Sequence, residues 1–93
     1  MSVRSLDLAV RVPEDVIFRE LDGEAVILNL DTGMYFGVDA VGTRMWQLLE
    51  ARASLREVWV ALQAEYDAAP DRLERDLLDF VDGLCAKGLV TTA

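Results

Sequence analysis

Two short turn signals, Asp22-Gly23 and Asp31-Thr32-Gly33, divide the first part of the chain into three apolar runs. The runs are Val16 to Leu21, Ala25 to Leu30 and Met34 to Val38. Short runs bounded by Asp and Gly predict strands, and turns this tight oblige consecutive strands to pair antiparallel. Past Val38 the apolar spacing changes to that of a helix. Asp39 is placed to cap a helix from about Ala40 to Ala51, with Val41, Met45, Leu48 and Leu49 on one face and Trp46 at its flank. Ser54 followed by Glu57 predicts a capping box at the start of a second helix, whose stripe is Leu55, Val58, Trp59, Leu62 and Tyr66. Ala68-Ala69-Pro70 ends that helix. Asp71 is the expected cap of a third, about Arg72 to Ala86, with Lys87 in its last turn and Gly88 as its stop.

The flanks say less. Val10 and Val12 alternate around Arg11 as a candidate short strand that Pro13 ends; residues 1–13 otherwise read as a loose lead-in. Leu89-Val90 reads as a short terminal strand. Strands first and helices second predict one α+β domain over residues 1–93, a three-stranded antiparallel sheet with three helices packed on one face.

Composition removes most chemistry. The chain has no His and a single Cys, Cys85. That excludes a disulfide framework, an ordinary four-ligand zinc site and any Ser–His or Cys–His nucleophile. No catalytic residue, metal site or cofactor is expected. Acids outnumber bases 17 to 9, a net charge of −8, which opposes nucleic acid as the main partner because phosphate contacts need clustered Lys and Arg. No apolar run is long enough to span a membrane, and Met1 to Val12 is not a signal peptide. The expected location is cytoplasmic, with no membrane partner.

Two features exceed what a small core needs. On the third helix Leu73, Leu77, Phe80 and Leu84 point one way, Val81 lies beside them, and Leu78 and Cys85 lie further round. Either all of these are core, or the flank Leu78, Val81 and Cys85 borders a groove that takes a peptide. On the third strand Met34, Phe36 and Val38 alternate with Tyr35 and Gly37. Gly37 marks either a bulge before the helix or an open edge that accepts a partner's strand. The acids, including Asp76, Asp79 and Asp82, match no metal loop and read as a solvated face.

The passage from Leu28-Asn29-Leu30-Asp31-Thr32-Gly33-Met34-Tyr35-Phe36-Gly37-Val38-Asp39 through Trp46-Gln47-Leu48-Leu49 resembles the PqqD-like family. The resemblance continues through Ser54-Leu55-Arg56-Glu57-Val58 to Gly88-Leu89-Val90, about Pro13 to Val90 in all. These are leader-recognition proteins for ribosomally made, modified peptides, and the short stand-alone form is most similar to those of lasso-peptide pathways. The resemblance implies a winged helix-turn-helix fold and a precursor leader peptide added as a strand against Met34, Tyr35, Phe36, Gly37 and Val38. Its side chains would sit against the third helix, where Arg75, Asp76, Leu78, Asp79, Val81, Asp82 and Cys85 are the candidate contacts. It also implies delivery to modifying enzymes such as a leader protease. A precursor chaperone of the pyrroloquinoline quinone type and a small regulatory or structural partner of another protein are the alternatives. An open edge also permits a homodimer. At this net charge, a gel-shift titration with duplex DNA is expected to give no salt-sensitive complex.

Overall fold

The two turn signals do set the fold. A computed structural model describes residues 5–22, 24–52 and 54–92. Strand β1 is Val10–Arg11, β2 Val16–Leu21, β3 Glu24–Asn29 and β4 Tyr35–Val38; α1 is Ala40–Ala51, α2 Leu55–Glu65 and α3 Pro70–Ala86; β5 is Thr91–Thr92. The main sheet has the antiparallel order β2-β3-β4, so β4 is an edge. Sheet followed by three helices is the expected α+β order. At the first turn Asp22 has φ 53, as a tight hairpin requires, while Gly23 lies outside the described residues. Phe18, Ile27 and Phe36 form one row across the sheet on the face toward the core.

The second turn is held by Asn29. Its Oδ1 accepts from the Asp31 and Thr32 amides at 2.9 and 3.2 Å, and its backbone oxygen accepts from the Gly33 amide at 2.8 Å, where φ is 78. Its Nδ2 donates to the Gly88 carbonyl at 3.0 Å, at the far end of α3. There Gly88, φ 69, ends the helix: its amide donates to Cys85 O and the Leu89 amide to Leu84 O, and Leu89 is fully buried. This is the Schellman arrangement, with the glycine stop where the sequence puts it. One half-turn of β-hairpin and one helix terminus are thus bonded to the same buried amide.

Several sequence expectations need correction. Residues 5–12 are not loose. Leu6 and Val10 are buried, and β1 pairs with β5, Val10 opposite Thr92. The Leu8 and Leu6 carbonyls accept from the Leu55 and Arg56 amides at 3.3 and 3.1 Å. These are the first amides of α2, so Ser54 makes no side-chain cap bond and the expected capping box does not form. The loop before β1 has taken the cap's place. α3 begins at Pro70, whose fixed φ suits a first helical position, rather than after an Asp71 cap. The terminal strand is Thr91–Thr92, two residues beyond the expected one, because Leu89 and Val90 are core. Val41 is 39% exposed while Trp46 is fully buried, so α1 is turned from the expected orientation. Asp39 caps it as expected, accepting from the Gly42 amide at 2.7 Å.

Arg44 and Glu65 form a two-pronged ion pair, 2.6 and 2.7 Å, between α1 and the end of α2. The hydrogen bond from Arg44 holds the Glu65 carboxyl below its ordinary range. The tie is therefore present at neutral pH and is lost as pH falls through that lowered value. Replacing Asn29 with Ala should cost about 1–3 kcal/mol, seen as a lower urea midpoint at unchanged m-value. Asn29→Asp should not rescue it, because a carboxylate presents no donor to the Gly88 carbonyl.

Candidate functional site

The edge of β4 follows from its register. The Asn29 amide donates to the Met34 carbonyl at 2.9 Å, and β4 pairs Phe36 with Ile27 and Val38 with Ala25. Backbone groups alternate sides along an antiparallel strand. Met34, Phe36 and Val38 therefore turn theirs toward β3, and Tyr35 and Gly37 turn their N–H and C=O groups toward the open side. Among the described residues no strand pairs there. The register runs unbroken through Gly37, which removes the bulge reading, and a Cβ built at Gly37 would meet nothing within 4 Å. Tyr35 is 64% exposed on the outer face of the sheet, and Met34, just before the strand, is also exposed.

On the inner face Phe36 meets α3. Its ring stands edge-to-face with Phe80, centroids 5.9 Å apart and planes at 87°. A Cβ at Gly83 would lie 3.1 Å from its Cε2, and Lys87 Nζ lies 6.0 Å from the ring centroid. Phe80, Gly83 and Lys87 follow one another at helical spacing, so this is the flank of α3 that faces β4. Beside it, an open depression of about 430 Å³ has Gly42, Met45 and Phe80 as its floor and Asp39, Asp76 and Asp79 on its rim. A hollow of about 470 Å³ at Val10, Val12 and Leu49 to Arg52 involves neither β4 nor α3.

This is the opposite flank from the one expected. Leu78 and Val81 do not border the cleft: they are core residues, Val81 fully buried. Cys85 is half-buried and packs against the core. Burial, with the Asp82 carboxylate next, raises its thiol pKa, which keeps it protonated and unreactive. At about 3.6 residues per turn, Arg75 and Asp82 lie on the Leu78 side of the helix. Of the sequence candidates, Phe36, Val38, Asp76 and Asp79 are brought together. The residues that the sequence reading missed are Phe80, taken for core, with Gly83, Lys87, Gly42 and Asp39. A glycine inside an otherwise regular helix was the available signal.

No group of His, Cys, Asp and Glu among the described residues could hold a metal ion, and no described helix is long and apolar enough to cross a membrane. What the arrangement can do is bind: an unpaired strand edge runs alongside an aromatic-floored helix flank.

Comparison with known proteins agrees with that shape. The model of the PqqD family, described as coenzyme PQQ synthesis protein D, matches residues 24–90. A solved structure of TbiB1 in complex with the TbiA(beta) leader peptide is 42% identical, covers 86% of this chain and 93% of its own, and superposes with a TM-score of 0.76. A lasso peptide synthetase B1 complexed with its leader peptide shares the fold, with a TM-score of 0.77 over 89% of this chain and 98% of its own, at 23% identity. No curated protein matches the chain.

Leu78→Asp should cost well over 3 kcal/mol, since it buries an unpaired charge in the core, and should appear as loss of the cooperative unfolding transition.

Proposed function

The chain belongs to the PqqD family, and from that premise we propose that it is a non-catalytic recognition element for the leader segment of a ribosomally made precursor peptide. The observation that carries this reading is the unpaired edge of β4 beside the Phe36–Phe80 flank of α3. The 42% identical TbiB1, solved with a leader peptide bound, supports it. A leader adding as a strand takes its main-chain bonds from Tyr35 and Gly37, which every sequence can satisfy. Selectivity then falls to its inward side chains, which meet Phe36, Val38 and Phe80, and to charges near Asp76, Asp79 and Lys87. Exposed charge pairs contribute about 0–1 kcal/mol each, so apolar contacts dominate affinity.

β2 is the other edge of the sheet, but it lies a strand away from β4, whose Phe36 is the residue in contact with α3. An added strand at β2 would gain ladder bonds without that helix wall. Bound at β4, the leader is held for separate modifying enzymes in the cytoplasm, a leader protease among them, and the gain is in local concentration. We favour the lasso type over the pyrroloquinoline quinone type; the 23% identical lasso peptide synthetase B1 supports the shared fold alone.

The test is fluorescence anisotropy with a labelled synthetic leader from the precursor gene nearest this one. Saturable binding at micromolar or lower concentration, lost on scrambling, is expected; no binding by folded protein would sink the reading. Gly37→Pro removes one outward N–H and leaves the β3 ladder intact. It should weaken binding at least about tenfold with the circular dichroism spectrum unchanged.

A further inference from the structure

Gly83 is the fourteenth of the 17 residues of helix α3, still inside the helix, where glycine is the costliest ordinary residue after proline. Its backbone needs no special freedom there, since its φ is not positive. Its neighbour explains it. A Cβ at this position would stand 3.1 Å from Phe36 Cε2, tighter than nine in ten such contacts, and at an ordinary 3.5 Å from Cζ, so the ring must give by a few tenths of an ångström. Gly37, by contrast, has open space where its side chain would be.

Phe36 is half-buried, and its ring is confined on the side of α3. Phe80 blocks it edge-on at 5.9 Å. Phe80 is itself backed by α1, because a Cβ at Gly42 would lie 3.4 Å from its Cε1 and 3.3 Å from Val38 Cβ. The β4 backbone is held by its ladder to β3. An outward direction stays open, past the edge of β4, where no strand pairs among the described residues.

We propose that Gly83 is the positioning residue that sets the spacing of β4 and α3, and through Phe36 keeps clear the space that an added strand's inward side chains occupy. This rests on the peptide-binding reading above. A methyl group at residue 83 pushes the ring into the peptide's place while improving the helix's own propensity. The signature is lost affinity without lost stability, which a merely structural role would not give. Shortening the ring side chain should undo it.

The experiment compares wild type, Gly83→Ala, Phe36→Leu and the double variant, each with the labelled leader peptide and by thermal unfolding. Gly83→Ala is expected to bind about tenfold more weakly with an unchanged or higher Tm, and the double variant to return to the affinity of Phe36→Leu alone. Wild-type affinity in Gly83→Ala overturns the inference, as does a double variant that stays weak. Absence of binding by wild type would instead sink the peptide-binding reading. A second arm needs no peptide. In ¹H–¹⁵N spectra Gly83→Ala should move the amides of Tyr35 to Val38, and Phe36→Leu should reduce that displacement. Unmoved β4 amides overturn the inference whatever the peptide does.

Discussion

The side-chain amide of Asn29 is the joint on which the binding face depends. Its oxygen organises the turn that leads into β4, and its nitrogen grips the carbonyl of the glycine that ends α3. The two walls of the cleft are far apart in sequence, yet both are referred to one buried residue, 8% exposed. A buried amide must satisfy its donors and acceptors or cost stability, so the geometry is fixed more firmly than apolar packing alone would fix it. The Leu84 and Leu89 side chains, fully buried, then lock the helix stop from the core side.

With both walls fixed, division of labour along β4 follows from alternation alone. Odd positions, Tyr35 and Gly37, offer backbone groups at the edge. Even positions, Phe36 and Val38, send side chains inward to the helices. Adhesion and selectivity are thus carried by different residues of the same four-residue strand. The charges around it are also ordered. Asp39, Asp76 and Asp79 rim one hollow, whereas Lys87 stands over Phe36 toward the other end of α3.

The sheet and helix order was legible because turns and caps are local chemistry. Asp22, Gly33, Asp39 and Gly88 each declare a backbone state within a few residues of themselves, and each does what its type predicts. What depends on rotation about a helix axis was not legible. Leu78, Val81 and Phe80 are all apolar and all on the broad apolar sector of α3, and nothing local says which border faces β4. The same limit misplaced Val41 and Trp46 on α1. Ser54 failed differently: its local signal was sound, but carbonyls from a segment more than forty residues earlier reached the α2 amides first. Such long-range competition has no trace in a short window of sequence. Gly83 was legible in kind though not in partner, since a helix-interior glycine announces a close neighbour without naming it.

The pairing of β1 with β5 has a consequence for the order of events in folding. Val10 and Thr92 lie far apart in sequence, so their contact closes a very long loop. Contacts of that separation form slowly, after the β2-β3-β4 meander and the helices have brought their ends near. The loop just before β1, at Leu6 and Leu8, supplies the carbonyls that complete the start of α2. The last piece to arrive is therefore the one that finishes the second helix, and the first to detach would fray that helix while leaving the β4 edge standing.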